Sequence, residues 1–283
     1  MRLQKLLTII LLKIIFLTLF KTITSQTDEP QLDFLGGNCL KSDNITINGT
    51  YHNNIHTLLE NLYSLSSINQ FIIDSSGTGP NRVNGFFLCR PDIDLATCKR
   101  CFIDAADSLL QFCFDKKEAV VWYEECMIRY TNNSISPSNN DPEPSYFNHG
   151  TFNVSEPQIF PKLVNTTIKA LISKAVSPDN EPYKFYAVHG QSNYTFFEGF
   201  YGMVLCRPDI SPEDCESCLT TALERIPVCC ADSLAEWTSV FLANCQLRYD
   251  TAPFIFPSHR EALSLPPSSS PSLLPSPTAV PSP

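Results

Sequence analysis

Residues 205–219, LCRPDISPEDCESCL, place Cys206, Cys215 and Cys218 around a Pro-Asp turn. The Cys-x-x-Cys at the end of this stretch is compatible with a redox dithiol, half of a zinc site, or structural disulfides. A redox dithiol requires an accessible thiol in a βαβ setting, and zinc requires four ligands. Because neither is indicated, structural disulfides are favoured, and no metal ligand, cofactor or cofactor-binding residue is predicted.

The stretch has a twin earlier in the chain. GFFLCRPDIDLATCKRC at residues 85–101 matches GMVLCRPDISPEDCESC at 202–218, and VVWYEECMIRYT at 120–131 matches SVFLANCQLRYD at 239–250. A repeat that includes cysteines, turn residues and strand-like ends indicates duplication of one folding module. The chain is therefore predicted to contain two copies of a module of ordinary domain size.

The N-terminus predicts export. A short basic segment precedes a leucine- and isoleucine-rich run at residues 6–20, which is short for a membrane span. A secretory signal peptide is favoured over a signal anchor, and no integral membrane span is predicted in the mature chain. The predicted organisation is a signal peptide at 1–25, a first domain at 26–133, a linker at 134–152, a second domain at 153–254 and a disordered Pro/Ser-rich tail at 255–283.

The charge and the cysteine content restrict the class of protein. Removing residues 1–25 takes away four basic residues and no acidic one, which changes the formal charge from −9 to −13. An acidic chain without a basic stripe makes nucleic acid an unfavourable partner. Twelve cysteines in an exported chain predict six disulfides. Six glycosylation sequons agree with export: Asn44, Asn48, Asn132, Asn153, Asn165 and Asn193.

Each copy changes from helical to strand-like periodicity. Apolar residues recur at helical spacing within 53–65 and 160–176, and a second helix is predicted after Asp94 and after Ser211. Later segments alternate, and two sets of residues are predicted to share one strand face each: Val120, Trp122, Cys126, Ile128 and Tyr130, and Phe241, Ala243, Cys245, Leu247 and Tyr249. Glu124 is the one misfit. Two helices and several strands in this order predict an α+β module.

The predicted elements favour a particular set of disulfides. A helix places the Cys-x-x-Cys residues on one face, near the preceding strand and the final strand. This favours Cys89–Cys98, Cys101–Cys126, Cys206–Cys215 and Cys218–Cys245, and leaves Cys39 for Cys113. Spacing alone leaves 15 pairings open for six cysteines. Cys229 and Cys230 could form a vicinal disulfide, pair with another chain or stay free, and the even total favours the vicinal bond.

The repeated C-x8-C-x2-C, the CRPDI turn and the WYEECMIRY and NCQLRYD ends resemble the stress-antifungal, or ginkbilobin-homologous, domain of land plants. Two copies behind a signal peptide resemble a cysteine-rich repeat secretory protein, and related receptor-like kinases carry the same tandem ectodomain. The resemblance implies two modules, each with two helices on a five-stranded antiparallel sheet and three disulfides in the pattern above. It also implies a role in plant defence or stress signalling.

Antifungal members of this family bind mannose through an Asn after the first cysteine and an Arg and a Glu around the last. At these positions the first copy has Leu40, Val120 and Thr131, and the second has Ser239 and Asp250. Only Asp250 keeps the chemical character of the family residue. Mannose binding at this site is therefore not expected in either copy.

We expect a secreted, apoplastic binding protein whose partner is a glycan, a peptide or a receptor-kinase ectodomain; its oligomeric state is left open. The alternative is a soluble decoy, a co-receptor or a truncated ectodomain of a cysteine-rich receptor-like kinase. An enzyme is not expected, and no catalytic residue is predicted. The five histidines lie in dissimilar contexts without a nucleophile motif: His52, His56, His149, His189 and His259. Two Arg-Tyr pairs, at 129–130 and 248–249, are interpreted as a rim arginine and a core tyrosine rather than a recognition edge.

Overall fold

The computed structural model describes residue 13 and residues 32–40, 44–135, 145–151, 154, 156–180, 184–192, 198–229 and 235–255. Most of the predicted signal peptide and residues 256–283 of the predicted tail lie outside these ranges. The first copy contains, in order, β1 (Phe34–Cys39), α1 (Thr50–Leu65), β2 (Phe71–Ser76), β3 (Val83–Cys89), α2 (Leu95–Phe112), β4 (Ala119–Tyr123) and β5 (Cys126–Thr131). The second contains β6 (Tyr146–His149), α3 (Phe160–Ala175), β7 (Tyr186–Ser192), β8 (Gly199–Cys206), α4 (Pro212–Cys229), β9 (Trp237–Phe241) and β10 (Cys245–Asp250).

Each copy forms a five-stranded antiparallel sheet with two helices against one face. The strand orders, β1-β4-β5-β3-β2 and β6-β9-β10-β8-β7, are the same topology twice. The predicted fold class, tandem α+β modules with two helices on each sheet, is confirmed. Strand β6 lies inside the range 134–152 that the sequence predicts as a linker. Both copies belong to one compact unit.

The helices form where apolar periodicity and capping residues coincide. In α1 the buried side chains include Ile55, Leu58 and Leu62, which follow one helical stripe. The N-cap of α2 is Asp94, whose carboxylate accepts hydrogen bonds from the backbone N–H groups of Ala96 and Thr97. At the start of α4, the hydroxyl of Ser211 accepts from the backbone N–H of Asp214 at 3.0 Å. These side chains satisfy N–H groups that have no partner within the helix.

Disulfides join the helices to the strands on either side of them. In each copy one bond links the end of a strand to the start of the following helix, and another links that helix to the last strand. The bonds are Cys39–Cys113, Cys89–Cys98, Cys101–Cys126, Cys206–Cys215 and Cys218–Cys245. Cys229 is also disulfide-bonded. Cys230, its predicted partner, lies outside the described residues.

The expectation that residues 120–130 share one strand face is wrong. The chain turns between β4 and β5, and the alternation restarts after the turn. Val120 and Trp122 of β4 therefore face away from the helices, whereas Cys126 of β5 is bonded to Cys101 of α2. The second copy divides in the same way: Phe241 lies on the sheet face opposite the helices, Ala243 lies in the turn, and Cys245, Leu247 and Tyr249 lie in the helix-side core.

The faces of the two sheets opposite the helices pack against each other. A single apolar cluster is formed by residues of both copies: Phe86, Leu88, Val120, Trp122, Met127, Tyr186, Val188, Tyr201, Met203, Leu205, Phe241 and Ile255. Strand β8 is buried at every position because helices cover one face and the other sheet covers the other. This explains why β8 has no alternation of apolar and polar residues. The two copies thus form four layers, with both sheets inside.

Candidate functional site

Arg90, from the repeated CRPDI turn, is buried in the first copy. Its guanidinium donates to Asp92 through Nε at 3.0 Å and Nη2 at 2.6 Å, and through Nη1 to Glu124 Oε1 at 2.6 Å. Burial alone would lower the pKa of Arg90, but Asp92 and Glu124 raise it above its ordinary value. The sequence places Arg90 here because it follows β3 directly, at the end of the sheet nearest the β4–β5 turn.

Glu124 connects this network to the second copy. Its other carboxylate oxygen pairs with Arg248 of β10, which also donates to Asp250 Oδ2 at 2.9 Å. The ring of Phe254 lies against both guanidinium groups, with its centroid 5.7 Å from Arg90 Cζ and 4.1 Å from Arg248 Cζ. The backbone carbonyl of Phe254 accepts from Arg90 at 3.3 Å. Glu124, which interrupts the apolar alternation predicted from the sequence, therefore forms ion pairs with both copies.

Arg207 occupies the matching position in the second copy. It donates to Asp209 through Nε at 3.0 Å and Nη2 at 2.6 Å, and to Asn244 Oδ1 at 2.8 Å. Its guanidinium carbon lies 4.6 Å from the ring centroid of Phe86 in the first copy. Each CRPDI arginine thus pairs within its own copy and contacts an aromatic residue of the other.

The arrangement joins the copies. Burial of charge is tolerated because each guanidinium is paired and hydrogen-bonded on several sides. Sequence reasoning missed both arginines as interface residues. Two signals were available. In both copies an arginine follows the cysteine and an aspartate stands two residues after that arginine, and Glu124 breaks the apolar alternation predicted for a strand.

Most positions that correspond to the family's mannose site are closed in this structure. Val120 belongs to the apolar cluster between the sheets, and Thr131 and Ser239 are buried. Asp250 is 8 % exposed and engaged with Arg248 and with the backbone N–H of Ala252. These environments offer no open carboxylate for a sugar hydroxyl.

Four of the six predicted sequon asparagines can be placed. Asn44, Asn48, Asn132 and Asn165 are exposed. Asn44 accepts a hydrogen bond from Lys116 Nζ at 2.5 Å. Asn165 lies on helix α3, in the lining of a groove. Asn153 and Asn193 lie outside the described residues.

The histidines are scattered over the molecule. The rings of His52 and His56 lie side by side on α1 with centroids 4.7 Å apart. His149 is on the edge strand β6. The pKa of His189 is lowered by burial and by nearby Lys174. Within the described ranges, no group of three or more His, Cys, Asp or Glu side chains could hold a metal ion. His259 lies outside those ranges.

The tyrosines of the two Arg-Tyr pairs have similar environments. Tyr130 and Tyr249 are buried, and their hydroxyls donate to backbone carbonyls of Lys116 at 3.0 Å and Ala235 at 3.3 Å. Arg129, on the central strand β5, pairs with Glu118. Burial, which favours the neutral phenol, raises the pKa of both tyrosines. The tyrosines are core residues, as interpreted from the sequence. The interpretation of the arginines as rim residues is wrong, because both lie on central strands and Arg248 lies in the joint between the copies, which is the contact between the two sheets.

Comparison with known proteins identifies close relatives. The family model described as "Salt stress response/antifungal" matches residues 38–133 and 147–252. "Cysteine-rich receptor-like protein kinase 25" of Arabidopsis thaliana is 34 % identical over 89 % of this chain, which spans only 37 % of that relative's length. "Putative cysteine-rich repeat secretory protein 5" of the same plant is 32 % identical, covering 75 % of this chain and 79 % of the relative. "Antimicrobial ginkbilobin-2-like protein" of Castanea crenata is 30 % identical, covering 77 % and 87 %.

Solved structures share the fold. The tandem DUF26 ectodomain of the Arabidopsis thaliana cysteine-rich receptor-like protein PDLP8 superposes with a TM-score of 0.64 at 24 % identity, covering 78 % of this chain and 99 % of that one. The corresponding PDLP5 ectodomain gives a TM-score of 0.61 at 21 % identity. In the part of the chain that the structure describes, no helix is long and apolar enough to cross a membrane.

Proposed function

Because the chain belongs to the salt stress response/antifungal family, we propose that it is a secreted, non-enzymatic binding protein of the apoplast. It acts in defence or stress signalling by recognising an extracellular glycan, peptide or receptor-kinase ectodomain. The proposed domains are 26–133 and 153–254, and the six predicted sequons and the six disulfides are part of the proposal. The relatives named as secretory and antimicrobial proteins support this class of function.

The joint between the copies is the observation that carries the proposal. Arg90, Glu124 and Arg248 form a continuous ion-paired chain across it, beside an apolar cluster that includes Trp122 and Met203. These side chains are used in holding the copies together, so they are not free to bind or transform a substrate. What faces solvent is a pair of helical layers on a disulfide-bonded support, which suits recognition by surface contact.

A soluble decoy or co-receptor is the second candidate function. The receptor-like kinase relatives match this chain over 37 % of their own length. A protein with the surface of such an ectodomain can pair with the ectodomain's own partners. The two candidates differ in the class of molecule bound.

The test is a binding screen of residues 26–283 produced with oxidised disulfides. The protein is applied to a glycan array and to a panel of plant receptor ectodomains, with reduced and alkylated protein as the control for folded structure. Saturable binding to a glycan supports the first candidate, and selective binding to an ectodomain supports the second. Binding that survives reduction and alkylation, or conversion of a glycan or peptide on incubation, would contradict both.

A further inference from the structure

Helices α3 and α4 of the second copy are separated by a groove of about 480 Å³. Pro161, Asn165 and Lys169 line it from α3 at intervals of four residues, so they form one stripe along that helix. Leu223, Glu224 and Pro227 line it from α4. The volume lies within the range of about 300–1,000 Å³ that is typical of small-molecule sites.

At two positions of the α3 stripe, the first copy has larger side chains. Aligning the buried residues of α1 with those of α3 places His52 and His56 at the positions of Pro161 and Asn165. Each imidazole is bulkier than the proline or the asparagine that replaces it. The second copy therefore has both an opening between its helices and, at the edge of that opening, an asparagine within the sequon Asn165-Thr166-Thr167.

We propose that Asn165 carries an N-linked glycan whose first sugar residues lie in the groove between α3 and α4 and cover it. In the attachment step, the side-chain amide nitrogen of Asn165 bonds to C1 of the sugar of a lipid-linked oligosaccharide. The C1–oxygen bond to the lipid pyrophosphate breaks, the pyrophosphate leaves with the bonding electrons, and the amide loses one proton. Asn165 is exposed and meets the sequon requirement for this modification.

The chemistry of the groove suits an N-acetylglucosamine residue. Proline has no N–H, so Pro227, which lies inside α4, cannot donate to the carbonyl of Leu223 as a helical residue would. Leu223 lines the groove, and its carbonyl, which lacks this helical donor, is the acceptor proposed for the acetamido N–H of the sugar. Leu223 and Pro227 offer apolar surface to the sugar ring and its methyl group, while Lys169 and Glu224 can bond hydroxyl groups.

Asn165 differs in position from the other described sequons. Asn44, Asn48 and Asn132 are exposed but do not line the groove, so glycans on them would project from other surfaces. A glycan on Asn165 would cover an apolar surface and would also close the groove to a diffusible ligand. This inference rests on the export and the sequon occupancy put forward under the proposed function, but not on the class of ligand that the protein binds.

The test begins with the protein secreted from plant cells. Glycopeptide mass spectrometry should find Asn165 occupied. Asn165→Gln should raise the fluorescence of a surface-binding hydrophobic dye by about twofold or more, because the groove is uncovered, and should speed amide exchange in α3 and α4. The matched control, Asn132→Gln, removes a glycan elsewhere and should change neither.

Two results would overturn the proposal: an unoccupied Asn165 in the secreted protein, or equal dye binding and amide exchange in the Asn165→Gln and Asn132→Gln variants. Should Asn165→Gln not be secreted, the folded wild-type protein is treated with an amidase that converts each accessible glycosylated asparagine to aspartate, and amide exchange is followed in α3 and α4, where Asn165 is the one described sequon. Exchange in these helices must then rise in wild-type and Asn132→Gln protein alike.

Discussion

Arg90 and Arg207 show how one residue in a repeated motif acquires two environments. Arg90 faces two carboxylates, Asp92 and Glu124, whereas Arg207 faces one carboxylate, Asp209, and the amide of Asn244. Burial lowers the pKa of both, but the added negative charge raises that of Arg90 above its ordinary value, while that of Arg207 stays below it. The second negative charge near Arg90 is the carboxylate of Glu124, which also pairs with Arg248 of the other copy.

Replacing Arg90 by methionine tests this network. Asp92 would remain buried and lose its partner, so we expect the free energy of unfolding to fall by about 3–5 kcal/mol. Urea denaturation under non-reducing conditions measures the change. The control is Arg82→Met, because Arg82 is exposed and its loss should alter stability by less than about 0.5 kcal/mol. Equal effects of the two substitutions would contradict the role given to Arg90.

His189 should make the second copy sensitive to acid. Burial, with Lys174 adding to it, lowers the pKa of His189 in the folded protein below the ordinary value of 6.5. The unfolded chain therefore takes up a proton first, and stability falls as the pH drops from the ordinary value through the depressed one. We expect His189→Leu to weaken the loss of stability between about pH 7.5 and about pH 5.5, as urea unfolding would measure.

The control for this substitution is His149→Gln, on the edge strand β6. His149 is exposed, and its replacement shows whether removing any histidine alters the pH dependence of unfolding as His189→Leu does. If the free energy of unfolding of His189→Leu changes with pH as steeply as that of the wild type, burial of this imidazole does not contribute to acid sensitivity.

Helix α2 depends on its N-cap. Hydrogen bonds from Thr97 lower the pKa of Asp94, so the capping carboxylate stays charged into acid solution and the stabilisation is lost as the pH falls through the depressed pKa. Asp94→Ala should reduce the free energy of unfolding by about 1 kcal/mol, whereas Asp94→Asn, which retains a capping oxygen, should cost much less. Thermal unfolding of the three proteins at neutral pH measures both changes. An Asn variant as unstable as the Ala variant would show that capping is not the cause.

At the scale of helices and strands, local patterns predict what lies within one copy. The leucine stripe of α1 and the cap residues Asp94 and Ser211 predict helices because they depend on neighbours a few residues away. The turn after β4 is not visible in this way, since Val120 and Trp122 continue the alternation of Ile128 and Tyr130. Both faces of β4 and β5 are buried, so apolar residues occur on each side, and alternation alone could not separate them.

The residues of the joint between the copies could not be predicted from the sequence for a related reason. Its apolar residues come from β3, β4 and β5 of one sheet and β7, β8 and β9 of the other. The sequence of each strand indicates only that the strand is apolar. In several cases the residue it contacts across the joint lies over a hundred positions away in the sequence. Gly36 is an example: a Cβ atom at this position would lie 2.5 Å from the ring of Tyr146 in the other copy. Only the assembled structure shows why this position has no side chain.

For the whole molecule, the joint should make the two copies unfold together. Their sheets share one apolar cluster and the ion pairs of Glu124, so opening the joint would expose large apolar side chains to water. Calorimetry under non-reducing conditions should therefore show a single transition in wild type. A charge in the centre of the cluster, Met203→Glu, should uncouple the copies into two transitions at lower temperature, since Met203 is 2 % exposed. The matched substitution Val228→Glu, at a residue 77 % exposed on α4, should leave the single transition in place. Two transitions in wild type, or a single transition in the Met203→Glu variant, would mean that the shared cluster does not determine cooperativity between the copies.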